Sequence, residues 1–170
     1  MAMRSDTVSR PGHDHEQFAR LVLEHPGAVV VLAVDEQERV LVLEQYRHAA
    51  QRRLVELPAG LCDAGEDDPL ATAQRELLEE AELTAAHWEH LLTTHPSPGI
   101  SSEQVEIFVA LDLAPADRGD FVLAHEEADM TRRWVPLEEL VAAVLDNRVA
   151  DGPLGLAVLA YAHRRLLDER

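Results

Sequence analysis

No lysine occurs anywhere in the chain, and all 15 of its basic residues are arginine. That absence removes whole mechanisms. There is no lysine to grip phosphate in a Walker-type loop, none to form a Schiff base and none to hold pyridoxal phosphate. Cysteine is nearly absent too. The single Cys62 cannot close an internal disulfide and fits a reducing compartment, so the expected location is the cytoplasm. No apolar run reaches the ~20 residues that span a bilayer, and the opening MAMRSDTVSRPGHDHE holds no apolar signal-peptide segment. No membrane partner is expected. Positive charge is scarce: 32 acids face 15 bases, a formal charge of -17. Such a field repels a nucleic-acid backbone, so no nucleic-acid partner is expected either. A small anionic molecule can still bind where divalent cations bridge it to carboxylates. Neither a GxSxG nucleophile elbow nor a dinucleotide-binding glycine fingerprint is present.

What the chain does have is enough apolar residue, 46% of 170, to bury one domain's core. Residues 1–26 are polar and mixed and read as an arm or irregular hairpin preceding a main domain over 27–170. GAVVVLAVD (27–35) and RVLVLEQYR (39–47) are β-rich buried runs joined by a polar turn. RLVELPAG (53–60) reads as a short strand stopped by Pro58 and Gly60. From Pro69 the pattern changes: Leu70, Ala73, Leu77 and Ala81 recur at three to four residues, one buried helical stripe. Pro69 suits the first turn, with Asp67 or Asp68 as cap. WEHLLTTHPSP and QVEIFVALDL (104–113) predict two more strands. FVLAHEEADMTRRWVPL predicts a strand or edge, an acidic loop, then a strand. LEELVAAVLDN (137–147) and LGLAVLAYAHRRLL (154–167) predict helices. The order points to the α/β (α+β) class, an α/β/α sandwich with a mixed β-sheet.

The chemistry concentrates in RELLEE, residues 75–80. On a helix, positions i and i+4 share a face, so Glu76 and Glu80 point together with Glu79 beside them, and Arg75 faces Glu79. The apolar stripe occupies another side, so these carboxylates are expected not to compete with the core. Most such clusters are solvated helix faces, and repulsion at this spacing costs only ~0.2–0.5 kcal/mol per pair. The surroundings favour more. From Glu56 through Glu82 there are nine acids and one arginine, and ELPAG supplies a glycine-cornered strand end that can present backbone carbonyls. Oxygen ligands of this kind suit Mg²⁺, or Mn²⁺ in its place.

GLCDAGEDDPLATAQRELLEEAEL (60–83) resembles the Nudix box of hydrolases that act on nucleoside diphosphates linked to another group. Gly60 and Arg75-Glu76-Leu77-Leu78-Glu79-Glu80 match the box. Its outer acid is either Glu66, one residue too far from Arg75, or Asp67, correctly spaced from Arg75 but one position late; Glu82 replaces the late glycine. The resemblance extends over roughly residues 25 to 160. EQYRHAAQRRLVELPAGL, SPGISSE and HEEADM look like the ADP-ribose pyrophosphatase branch of actinobacterial type, whose reaction gives AMP and ribose 5-phosphate.

The resemblance implies a role for each matching residue. Ala59 would offer its backbone carbonyl, and Glu76 and Glu80 their carboxylates, to Mg²⁺, with Glu79 supporting the ions or binding one. Arg75 would fix the helix carboxylates through the outer acid, Glu66 or Asp67. Glu126, with Glu127 second, would orient or deprotonate the attacking water. Arg47 would contact the diphosphate, Glu56 would lie near the ribose, and Gly99 and Glu103 would line the far side of the pocket. The implied partner is a nucleoside diphosphate substrate. Relatives of this type commonly exchange an N-terminal β-domain across a dimer, so a homodimer is expected, with residues 1–26 supplying at most one hairpin of it. Taken singly, these residues also have plain readings. Arg47 could be a strand-end surface arginine, Glu56 could pair only with Arg52 or Arg53, and Glu126 and Glu127 could be loop charge. Cys62 reads as a packed thiol, and His13, His15, His87, His90 and His95 read as surface residues.

Overall fold

The computed structural model describes residues 1–62, 68–123 and 128–168. Strands β1 (Ala2–Arg10) and β2 (His13–Glu24) form a two-stranded antiparallel hairpin. Next come β3 (Ala28–Ala33), β4 (Arg39–Arg47), β5 (Arg52–Glu56) and β6 (Ala59–Leu61). Helix α1 (Pro69–Ala81), β7 (Leu83–Thr94), β8 (Val105–Pro115), β9 (Thr131–Pro136), α2 (Leu137–Leu145) and α3 (Gly152–Asp168) complete the order. One sheet runs β6-β3-β8-β7 and the other β5-β4-β9. Only the β3–β8 pair is parallel among these ladders, so the first sheet is mixed, as the sequence predicts.

The GAVVVLAVD run is continuously apolar because β3 is covered on both faces. Val30 and Leu32 turn towards a core shared with Leu140 of α2 and with Leu154 and Val158 of α3. Val29, Val31 and Ala33 turn the other way, to Ala73, Leu77 and Ala81 of α1. Helices therefore cover the sheet from two sides, the sandwich expected from the element order. Asp68 caps the helix, its carboxylate accepting from the Leu70 N–H at 3.1 Å, with Pro69 in the first turn; the other cap candidate, Asp67, lies outside the described residues.

Two expectations are corrected. RLVELPAG is two strands in two different sheets: β5 ends at Glu56, and β6 begins at Ala59. Pro58 has no N–H for a ladder, but its carbonyl accepts from the Val31 N–H at 2.8 Å, which draws the chain across to β3. Residues 121–123, expected as a strand or edge, carry no strand. The N-terminal arm is a long regular hairpin over most of its length, with a bulge near its tip. It meets the main domain at its base, where the Leu23 N–H donates to the Ile100 carbonyl (2.7 Å) and the Ser102 N–H to the Leu23 carbonyl (3.0 Å).

Candidate active site

The centre of the site is the contact between β6 and α1. The Ala59 N–H donates to Glu80 Oε2 at 2.9 Å. Next along β6, Gly60 lies so close to Glu76 that a Cβ on it would fall 1.9 Å from Glu76 Oε1. A glycine is required here by close approach, and the φ angle is ordinary. Glu76 and Glu80 are consequently 8% and 4% exposed. This overturns both the solvated-face reading and the expectation that these carboxylates stand clear of the core. They share the buried side of α1 with Thr72, Ala73, Leu77 and Ala81.

Two buried carboxylates one turn apart need compensation. Arg75 reaches Glu76 Oε1 and Glu79 Oε2, each at 2.8 Å. Burial works against the guanidinium's charge, but Glu76 and Glu79 outweigh it and hold the Arg75 pKa above its ordinary value. The expected outer acids, Glu66 and Asp67, and the loop candidates, Glu126 and Glu127, lie outside the described residues. At the far end of the helix, Glu82 takes the left-handed conformation (φ 56°) at which the box has its late glycine. Hydrogen bonds from Arg118 and Arg132 to its carboxylate hold its pKa at about 2. Arg118 also donates to the Glu79 carbonyl at 2.8 Å, satisfying one of the helix's terminal acceptors.

Beside this centre opens a cleft of about 450 Å³ lined by residues of both sheets and α3, among them Arg47, Glu56, Ala59, Gly60, Glu103 and Asp151. Arg47 and Glu56 stand on the same face of β4 and β5 and bond each other at 2.7 to 3.0 Å. Glu56, only 6% exposed, also accepts from Gln45 Nε2 at 3.0 Å. The alternative partners read from the sequence do not hold it: Arg53 pairs with Glu44, and Glu56 belongs to Arg47. Glu103 also lines the cleft, with the buried His25 ring 3.8 Å from its carboxylate. Gly99 sits exposed in the turn before Ser101 and outside the lining of the cleft. His87, His90 and His95 are exposed, and Cys62 is half-buried. His13, His15 and Glu16 bring ligand atoms within 4.8 Å of one another, but at the exposed hairpin tip, where Arg10 already pairs with Glu16.

Sequence reasoning missed Asp151. It caps α3, its Oδ1 accepting the Leu154 N–H at 2.8 Å, while it lines the cleft. Burial and the nearby Glu56 raise its pKa to about 6, against the opposing pulls of the Leu154 N–H and Arg47. Asp followed by Gly-Pro before a helical run is a cap signal, but nothing in the sequence places that cap beside Glu56.

Paired, buried carboxylates against a strand-end glycine, next to an arginine-bearing cleft, have the chemistry that suits an anion held through hard cations. The oxygen donors fit a divalent metal ion: Glu76 and Glu80 are buried and bring hard ligand atoms against the Ala59–Gly60 strand end. The NUDIX domain matches residues 24–154, and the chain belongs to the Nudix family. It is 40% identical over 174 residues to the ADP-ribose pyrophosphatase of Mycobacterium tuberculosis (strain ATCC 25618 / H37Rv), a match covering 98% of this chain and 82% of that protein. It is 32% identical to the methanol dehydrogenase activator of Bacillus methanolicus, over 92% of this chain and 82% of that one. A solved structure of an ADP compounds hydrolase, 20% identical, superposes with a TM-score of 0.74 over 98% of this chain and 92% of that one, which establishes the shared fold. The chain is an ADP-ribose pyrophosphatase-like Nudix hydrolase. Among the described residues, no helix is long and apolar enough to cross a membrane.

Proposed function

We propose that this protein hydrolyses ADP-ribose to AMP and ribose 5-phosphate and depends on Mg²⁺, with Mn²⁺ able to replace it. The observation that carries the reading is the pair of buried glutamates, Glu76 and Glu80, pressed on Ala59 and Gly60 at the edge of the Arg47–Glu56 cleft. The 40% identity to a protein named for that activity supports the choice of substrate.

In this reading the Ala59 carbonyl, Glu76 and Glu80 hold the ions, and Glu79 supports them. Arg75 keeps Glu76 and Glu79 in place. Bound Mg²⁺ supplies charge neutralisation for the diphosphate and lowers the pKa of a water. Arg47 binds the diphosphate, with Glu56, itself held by the Gln45 amide, fixing its guanidinium. Glu56 and Glu103 face the sugar side, and Gly99 belongs to the turn that leads into that wall. Glu126 or Glu127 orients or deprotonates the water. The protein's own work is chiefly positioning, because the reaction needs one water and one P–O bond aligned.

The assembly we propose is a homodimer built through the β1–β2 hairpin. Both faces of that hairpin are exposed along most of its length, including Met3, Phe18 and Leu21, and an isolated two-stranded hairpin is marginal in water. Residues 1–26 would then be the exchanged arm and 27–170 the hydrolase domain. The lone Cys62 supports a cytoplasmic location. A second reading keeps the site and changes the substrate to another nucleoside diphosphate derivative. It is favoured by the B. methanolicus relative, which has a different name at 32% identity, and by the fact that the box grips only diphosphate and metal. The test is product analysis over ADP-ribose, NADH and nucleotide sugars with Mg²⁺. AMP from ADP-ribose is expected. Chelation should abolish it, and Glu80→Gln should abolish turnover while the melting temperature stays near that of the parent. Full activity in that variant refutes the metal assignment.

A further inference from the structure

Asp151 has no part in the reaction as laid out above, yet it stands on the wall of the reaction cleft. Its Oδ1 belongs to the cap of α3, and Gly155 N–H to Asp151 O at 3.1 Å closes the same turn. Its second carboxylate oxygen forms no hydrogen bond or ion pair among the described residues. Arg47, which lines the same cleft, is already gripped by Glu56 through bonds of 2.7 to 3.0 Å. The cleft therefore presents two carboxylates, Glu56 and Asp151, to one guanidinium, and Glu103 is a third acid in its lining. A phosphate placed against Asp151 would be repelled. A neutral group that donates hydrogen bonds would be held, and bonds to a charged acceptor are the stronger kind. Sugar hydroxyls are such donors, and a nucleoside diphosphate sugar carries them on both sides of its diphosphate.

We propose that Asp151 is a specificity residue whose cleft-facing oxygen accepts a hydrogen bond from a pentose hydroxyl of the substrate while its other oxygen keeps the helix capped. The proposal rests on the ADP-ribose reading and sharpens it. The recognised feature is a hydroxyl-bearing pentose, which could be the terminal ribose or the ribose of the adenosine.

The experiment compares the parent with Asp151→Ser and Asp151→Asn. Serine and asparagine both cap helices well, so neither variant need unfold, and thermal melts check this. Serine removes the arm that reaches the cleft, whereas asparagine removes only its charge. Three compounds are used with Mg²⁺: ADP-ribose, the methyl ester of ADP, which lacks the terminal sugar, and the 2′-deoxyadenosine analogue of ADP-ribose. KM and kcat are measured, or an inhibition constant where a compound is not cleaved. For ADP-ribose, Asp151→Ser should raise KM about tenfold, Asp151→Asn by less, with kcat within about twofold of the parent. The penalty should vanish for one analogue: for the methyl ester if the terminal ribose is held, for the deoxy compound if the adenosine ribose is. Equal effects on all three compounds, or none on any, overturn the proposal. If the parent spares ADP-ribose but cleaves another nucleotide sugar, the substrate reading fails alone, and the same comparison is made on that sugar nucleotide and its methyl ester. If it cleaves no nucleoside diphosphate derivative, both fall.

Discussion

The closest approach in the site makes Gly60→Ala the most demanding test of the site's geometry. The substitution adds one methyl group. Its carbon would lie 1.9 Å from Glu76 Oε1 and 2.0 Å from Cδ, where ordinary contact begins at 3.4 Å. The backbone at Gly60 is not left-handed, so alanine meets no conformational penalty and the whole cost is the collision. Glu76 cannot swing into solvent, since it is 8% exposed and tied to Arg75 at 2.8 Å. Either the carboxylate retreats by ~1.5 Å or β6 lifts from α1. Overpacking of this kind costs about 1–3 kcal/mol, which urea unfolding will read as a lowered midpoint at unchanged slope. A shift of about 1 Å in a positioned group is also enough to slow turnover about 100-fold, which AMP release will read. Glu76→Ala supplies the control. In that background the methyl group has room, and Gly60→Ala should cost less than about 0.5 kcal/mol, a strong coupling between neighbours. If Gly60→Ala destabilises both backgrounds alike, or turns over at the parental rate, the close packing of Gly60 on Glu76 is not what positions the site.

Other consequences can be measured directly. Folding raises the Asp151 pKa from an ordinary 3.8 to about 6. The folded chain thus binds that proton more tightly than the unfolded one, so stability falls as pH rises from about 4 through about 6, by up to about 3 kcal/mol. Asp151→Asn, which keeps a cap, should be more stable than the parent near pH 8 and equal to it near pH 4; equal urea midpoints at both values refute this. Glu82 runs the opposite way. Its pKa is depressed from 4.5 to about 2, so its contribution is complete above the ordinary value and is lost as pH falls towards about 2. Acid titration followed by circular dichroism should show Glu82→Gln with a flatter acid limb. Sedimentation velocity should give twice the single-chain mass, and Phe18→Ser with Leu21→Ser should return it to one chain. A parent that sediments as a single chain removes the proposed dimer.

The sequence made the α1 stripe and its Pro69 start legible because helical period, proline and cap are local signals. The two-sided burial of β3 was legible for a similar reason, an unbroken apolar run. The burial of Glu76 and Glu80 was not. Helical spacing shows that two side chains point together, but not what another segment will lay over them, and here β6 covers them. Nor was the division at Pro58 readable as a change of sheet. Pro58 marks a stop, while the Val31 N–H that captures its carbonyl lies 27 positions back in the chain. The hairpin was half legible. Polar residues on both faces give no alternation to set a strand's register, so an arm was visible but its regular pairing was not. The Arg47–Glu56 pair could have been found by placing β4 and β5 in register, which brings both side chains to one face.

The short passage from β5 to β6 has a mechanical consequence. Arg47 and Glu56 stand on one sheet, Ala59 and Gly60 on the other, and the chain between them is Leu57 and Pro58 alone. Leu57 is 2% exposed and packed in the larger core, and Pro58 is tied to β3. A connector so anchored cannot act as a hinge. The two walls of the cleft are bolted together at their base, so the opening behaves as a fixed slot rather than a pair of jaws, and a substrate's fit is set by the width the core imposes.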